Sequence, residues 1–401
     1  MSTASPTVRL GVIGAAGSMA TAHRGYYDQI PGLTLAAVSD VTQDLLDPIV
    51  EDTGAKAWLD AEAMIASGDI DAVFIACPHY DHPRYAELAF RHGVHVLTEK
   101  PVAVTALAAE RTNAAYEQAI KKHPKLLYAA MFNQRTRPLW KEVKRLCSDG
   151  SIGELMRVSW TITNWFRTQA YYDSGGWRAT WQGEGGGVLL NQCPHNLDLL
   201  CWFLGSPASV TADVSLGKYH DIEVEDDVTA ILKYANGATG TFVTSTGQTP
   251  GINRLEIVGT HGTLIAHAEF GEETLTYLRA DEPVDAFTKN CPERFPSVPS
   301  TRMQITPPDQ DGMDHQPITA NFIETIANGG TQDDLIAAGT EGIAGLELGN
   351  AMLMSGLQHR PVAIPTDRAA YDALLEKLKA KSTYQKPEVA HAGAVDMSGS
   401  A

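Results

Sequence analysis

The chain has 401 residues, 44% hydrophobic and 20% charged, enough apolar material for two ordinary domains with full cores. A formal net charge of −17 excludes a nucleic acid or an anionic membrane surface as principal partner, because both demand clustered Lys and Arg. No stretch approaches the ~18 apolar residues of a membrane span. The start MSTASPTVRLGVIG shows no signal-peptide pattern, and Cys77, Cys147, Cys193, Cys201 and Cys291 form no CxxC pair. A cytoplasmic, reducing location is therefore expected.

In chain order, VRLGVI at 8–13 reads as a buried strand, followed by a glycine turn and a helix over about 19–28. Strands follow at 33–39, 71–76 and 94–98, with helices near 60–67, 83–91 and 105–122 between them, and a last strand at 125–132. Strands alternating with helices predict a doubly wound parallel sheet, so the fold class is α/β with a first domain over 1–132. Beyond it come a helix at 138–149 closed by Gly150 and strand-like runs at 154–164, 208–216, 227–234, 238–246, 253–259 and 262–267. Asn236-Gly237 and His261-Gly262 are hairpin signals, which predicts a mostly antiparallel sheet in a second, α+β domain over 133–384. Helices are expected at 315–328 and 338–356, and a loosely held tail at 385–401.

Three segments carry chemistry. The first strand runs into Gly14-Ala15-Ala16-Gly17-Ser18-Met19, the strand, turn and helix start of a dinucleotide-binding Rossmann unit. Gly14 allows the turn, and a small residue at Ala16 lets backbone approach a pyrophosphate. Ala16 and Met19 nevertheless stand where GxGxxG has glycine. Asp40 ends the second strand, where a carboxylate accepts the ribose hydroxyls and repels a 2′-phosphate, so NAD is expected over NADP. Next, Thr98-Glu99-Lys100-Pro101 lies at the carboxyl end of a parallel strand, the edge where ligands bind. The third segment is GEGGGVLLNQCPHNLD at 183–198. Pro194 suits the first position of a helix, His195 falls in its first turn and is expected neutral beside the dipole, and Asp198 shares its face.

GVIGAAGSMATAH, CPHYDH, HGVHVLTEKP, DGSIGEL, GEGGGVLLNQCPHNLD and LELGNAMLMSG together resemble the glucose–fructose oxidoreductase/inositol dehydrogenase (Gfo/Idh/MocA) family across nearly the whole chain. The resemblance implies that Lys100 and His195 are catalytic, beside a nicotinamide and the reacting carbon, with Lys100–Pro101 cis. It implies that Gly14, Ala16, Gly17, Ser18, Met19, Asp40, Pro78, His79, His82, Glu99 and Lys100 meet the cofactor; His82 either contacts it or packs against the next helix. Many members carry Asp four residues before the histidine, whereas this chain has Asn191, which can position a hydroxyl but cannot act as a carboxylate base. The aromatic, polar segment 164–178 suits a sugar pocket. The expected substrate contacts are Lys100, Asn133, Arg135, Trp165, Arg167, Tyr171, Trp177, Arg178, Asn191 and His195. No metal-ligand spacing appears.

The expected reaction is NAD-dependent oxidation of a secondary ring hydroxyl, at C2 or C3 of a sugar, glucoside or inositol. His195, assisted by Lys100, takes the proton as hydride leaves carbon. One alternative is a redox-neutral glycoside-cleaving or epimerising enzyme with tightly held NAD. The other is a non-catalytic regulator, against which the presence of both Lys100 and His195 speaks. The resemblance also implies an open face on the C-terminal sheet and a homodimer or homotetramer formed through it.

Overall fold

A computed structural model of the chain describes residues 7–269, 272–308 and 315–386. Six short strands form the first sheet: β1 (Val8–Ile13), β2 (Leu33–Ser39), β3 (Lys56–Trp58), β4 (Ala72–Ile75), β5 (His95–Thr98) and β6 (Tyr128–Ala130). Their order is β3-β2-β1-β4-β5-β6 and every pairing is parallel, the Rossmann arrangement. β4 is buried at all its positions and β1 at all but Arg9, as expected of strands covered on both faces by helices. The connecting helices are α1 (Ser18–Arg24), α2 (Gln43–Thr53), α3 (Ala61–Ala66), α4 (His82–His92) and α5 (Ala106–Ala119).

Some elements differ from the sequence expectation for identifiable reasons. The first helix stops at Arg24, because the chain turns at Gly25 to bury Tyr26 and Tyr27, the latter in a 3-10 turn. α2 was not anticipated: it contains Pro48, and burial of Leu46 and Ile49 holds it. The strand expected over 125–132 pairs only at Tyr128–Ala130, since the chain turns at Asn133–Thr136.

The second sheet has nine strands: β7 (Leu155–Ile162), β8 (Ser209–Leu216), β9 (Glu225–Lys233), β10 (Thr239–Ser245), β11 (Asn253–Gly259), β12 (Gly262–Glu269), β13 (Glu272–Ala280), β14 (Ser300–Ile305) and β15 (Val362–Ala363). Their order is β14-β13-β12-β11-β7-β10-β9-β8-β15, antiparallel except for the parallel pair β7 and β10. In β9, Val228, Ala230 and Leu232 are buried while Thr229, Ile231 and Lys233 are exposed, so the sheet has one covered and one open face.

The remaining helices are α6 (Pro138–Ser148), α7 (Gln169–Asp173), α8 (Pro194–Leu204), α9 (Val284–Asn290), α10 (His315–Ala327), α11 (Gly342–Gln358) and α12 (Arg368–Lys381). α6, α8 and α11 supply the cover, with Trp140 of α6 against Trp160 of β7 at a ring separation of 5.5 Å. The late helices bind the two halves together. Asn350 of α11 accepts the Ala106 N–H at 2.9 Å, and Ala130 of β6 donates to Ala337 O at 3.1 Å. Of the tail expected to be loose, residues 387–401 lie outside the described residues. Lys386, however, is fastened, its ammonium donating to Tyr172 O and, at 2.8 Å, to Arg178 O. Among the described residues no helix is long and apolar enough to cross a membrane.

Candidate active site

Beyond the carboxyl ends of β1, β2, β4 and β5 lies a cavity of about 500 Å³ whose other walls come from the second half, from 165–178, 191–195 and His315. Gly14, Gly17, Ser18, Met19 and Asp40 line one end. Gly14 has φ +74°, and a Cβ there would stand 2.8 Å from Ala76 O, so only glycine lets the chain turn this tightly. Ala16 does not line the cavity. Its N–H donates to Asp40 Oδ2 at 2.8 Å, while Val41 N–H donates to the other carboxylate oxygen, so the loop and Asp40 brace one another.

Pro78, His79, His82, Glu99 and Lys100 form the middle. His82 has Nδ1 2.7 Å from Pro101 O and Nε2 2.7 Å from Cys77 O, tying the loop after β4 to the loop after β5. His79 stands edge-on to Trp177, with centroids 5.1 Å apart, and burial pushes its proton affinity well down. Glu99 is buried beneath Lys100. Burial alone would raise its carboxyl, but the hydrogen bond and charge of His23, with His315 and Lys100, bring it down to about 2. Glu99 Oε1 lies 2.9 Å from His23 Nε2 and Oε2 accepts the Lys100 N–H at 3.1 Å. The Lys100–Pro101 peptide is cis.

At the far end, Lys100 shares the cavity wall with His195, Asn191, Asn133, Trp165, Arg167, Tyr171, Trp177 and Arg178. α8 begins at Pro194, so His195 sits in its first turn. Burial holds its imidazole neutral, the charges of Lys100 and His315 adding to this, and its Nδ1 has no hydrogen-bond partner among the described residues. The Lys100 ammonium donates to Asn191 O at 2.8 Å; burial lowers its proton affinity and Glu99 opposes that shift. Ahead of α8 the chain turns where Gly187 leaves no room, a Cβ there falling 2.0 Å from Glu225 O. The buried Glu225 carboxylate accepts the Gly187 and Leu189 N–H groups at 2.9 and 3.1 Å.

Arg135 corrects an expectation. Its guanidinium is 3% exposed and lies away from the cavity, bidentate to Asp198 at 2.8 and 2.6 Å and joined by Glu341. Asp198 is therefore this arginine's partner rather than a partner of His195. Sequence reasoning also missed Gln134, Gln192, His315 and Glu184. The first three line the cavity, and buried Glu184 accepts from Asn191 Nδ2 and from Ala179 N at 2.6 Å. Glu184 had a signal, its place directly before the glycine run. His315 had none, since only the packing of α10 brings it in. Among the described residues no group of His, Cys, Asp or Glu is placed to hold a metal ion.

Two family descriptions match the chain: the oxidoreductase family with an NAD-binding Rossmann fold over 8–127, and the GFO/IDH/MocA C-terminal domain over 140–265. The inositol 2-dehydrogenase of Rhizobium meliloti is 30% identical over 268 residues, 65% of this chain and 76% of that one. The levoglucosan dehydrogenase of Pseudarthrobacter phenanthrenivorans is 26% identical over 249 residues, 56% and 62% of the two chains. Among solved structures, the WlbA dehydrogenase of Chromobacterium violaceum, in complex with NADH and UDP-GlcNAcA, superposes with a TM-score of 0.74 at 27% identity. That match covers 92% of this chain and 98% of the other.

Proposed function

Because the chain belongs to the Gfo/Idh/MocA oxidoreductases, with their NAD-binding Rossmann domain, we propose that it oxidises a secondary ring hydroxyl, at C2 or C3 of a sugar, glucoside or inositol, to the ketone. One observation carries this reading: Lys100, after β5, and His195, at the start of α8, line the same cavity as the Gly14–Met19 turn and Asp40. Relatives named as inositol, levoglucosan and D-glucoside dehydrogenases support the substrate class.

The residues present fit NAD. Gly14, Gly17, Ser18 and Met19 would cradle the pyrophosphate in a turn that a Cβ would fill, and Asp40 would accept the adenosine ribose hydroxyls. When bound, NAD supplies the hydride acceptor. His195, kept neutral by burial, accepts the hydroxyl proton, and Lys100 donates to the same oxygen as negative charge builds there. Asn191 holds Lys100 through its carbonyl and leaves no carboxylate at its own position. We take 1–132 and 133–384 as the two working domains, with self-association through the open face of the second sheet.

A screen of inositols, monosaccharides, anhydrosugars and glucosides against NAD and NADP, read by NADH or NADPH absorbance, tests this. Reduction of NAD in preference to NADP with at least one such compound is expected. No reduction with any would overturn the reading. Glycoside loss without net NADH would replace net oxidation by the redox-neutral alternative.

A further inference from the structure

The far end of the cavity is basic in a molecule whose net charge is −17. Lys100, Arg167 and Arg178 all line it. Some guanidinium groups elsewhere, such as those of Arg9, Arg84 and Arg135, sit on a carboxylate, while others, such as Arg24 and Arg360, donate to carbonyl oxygens. Among the described residues, no carboxylate comes within ion-pair distance of Arg167 or Arg178. Arg178 donates to Tyr171 OH at 2.8 Å and lies 4.7 Å over both the Tyr171 and Trp177 rings. Arg167 donates to Phe166 O at 2.9 Å and lies 5.1 Å over Tyr171. Both cations are thus stacked on one tyrosine, which positions them while leaving donors unused.

The nearby acids answer this charge only in part. Glu99 bonds His23 and faces Lys100, Asp40 stands with Ala16 and Val41, and Glu184, bonded to Asn191 and Ala179, feels the charges of Arg178 and Lys100 without reaching ion-pair distance of Arg178. A planar guanidinium with free N–H groups is suited to binding a carboxylate or phosphate through two oxygens. A pair of them at a binding site, with no carboxylate in ion-pair contact, favours an anion and repels a second cation.

We propose that the substrate is an acidic sugar, whose carboxylate or phosphate is seated on Arg178 and Arg167 while its reacting hydroxyl points to Lys100 and His195. This rests on the dehydrogenase reading above and names the substrate class. In it, Tyr171 and Trp177 place the guanidiniums and offer ring faces to the sugar's C–H bonds.

The test compares matched sets, glucose with glucuronate and glucose 6-phosphate, and galactose with galacturonate. NAD reduction is measured, and in parallel binding to the NADH complex, by quenching of tryptophan fluorescence. At least a tenfold preference in kcat/KM, or in affinity, for an anionic member over its neutral parent is expected. Which anion is preferred separates carboxylate from phosphate. Arg178→Gln should reduce that ratio at least tenfold, and Arg178→Lys should restore part of it if charge is what matters. Neutral sugars turned over as well as or better than both anions would overturn the proposal and leave the dehydrogenase reading standing. Preferential binding of anions without turnover would overturn the assignment of the anion as substrate, and no binding and no turnover with any of them would likewise overturn the proposal, the dehydrogenase reading being decided separately by the broader screen of sugars and polyols.

Discussion

Lys100 is held from two sides, its backbone N–H on Glu99 and its ammonium on Asn191 O, so its position depends on both halves of the chain. The buried Glu99 carboxylate beneath it favours the charged ammonium, and burial favours the neutral amine. Both act on one group that would meet the reacting oxygen. Replacing Lys100 with Met keeps the bulk and removes the donor. A fall in kcat of about 10²–10⁴-fold is expected, with NAD affinity within a few-fold of the parent by titration. Loss of NAD binding in step with kcat would make Lys100 a structural support instead. The motif marked Lys100 and His195 because both stand at element ends, where spacing along the chain predicts placement. Arg135 shows the limit of that logic: it lies in the 3-10 turn Asn133–Thr136 beside the site, yet an ion pair from α8 turns its guanidinium inward.

At the scale of elements, hydrophobic period and turn chemistry sufficed for most strands and helices, because each reflects a local pattern. Asn236-Gly237 joins β9 to β10, with Gly237 at φ +91°. Elements held by tertiary packing did not announce themselves. α2 contains a proline, β15 has only two residues, and α12 has a weakly apolar sequence whose Tyr371 and Leu375 are buried. The turn before α8 is likewise fixed from a distance, by Glu225. Burial, against the opposing Gly187 and Leu189 N–H groups, raises the Glu225 carboxyl from 4.5 to about 7. The folded protein therefore holds this proton more tightly than the unfolded chain does. Its contribution to stability falls as pH rises through the window from 4.5 to about 7 and is constant above it. The difference is on the order of 3 kcal/mol. Glu225→Gln keeps an acceptor for the turn and cannot ionise. The stability gap between parent and variant in urea should thus move against the parent by roughly this amount across that window. A gap independent of pH would show that Glu225 does not titrate there.

For the whole molecule, both halves of the chain wall the cavity, and their supporting helices are not divided as the two sheets are. α11 and α12 flank β15, the last strand of the second sheet, but both pack on α5 of the first half. Arg368 of α12 pairs with Glu347 of α11 and Glu110 of α5. Gln332 accepts the Tyr128 N–H at 3.0 Å and Tyr116 OH at 2.8 Å. Opening either half would break these contacts and expose the buried Tyr116, Tyr128 and Glu347, which predicts one cooperative unfolding unit rather than two. The tryptophans allow a direct test. Trp140, Trp160, Trp165, Trp177, Trp181 and Trp202 lie beyond the first sheet and only Trp58 lies within it, so indole fluorescence follows the second half. NAD at about 100 times its Kd stabilises the state that binds it by ~2.7 kcal/mol. If the halves are coupled, the tryptophan-detected melting temperature should rise by several degrees with NAD, in one transition that coincides with far-ultraviolet circular dichroism. Two transitions, with the fluorescence one unmoved by NAD, would mean that the nucleotide stabilises the first sheet alone and that the helices bridging the halves do not bind them into one unit.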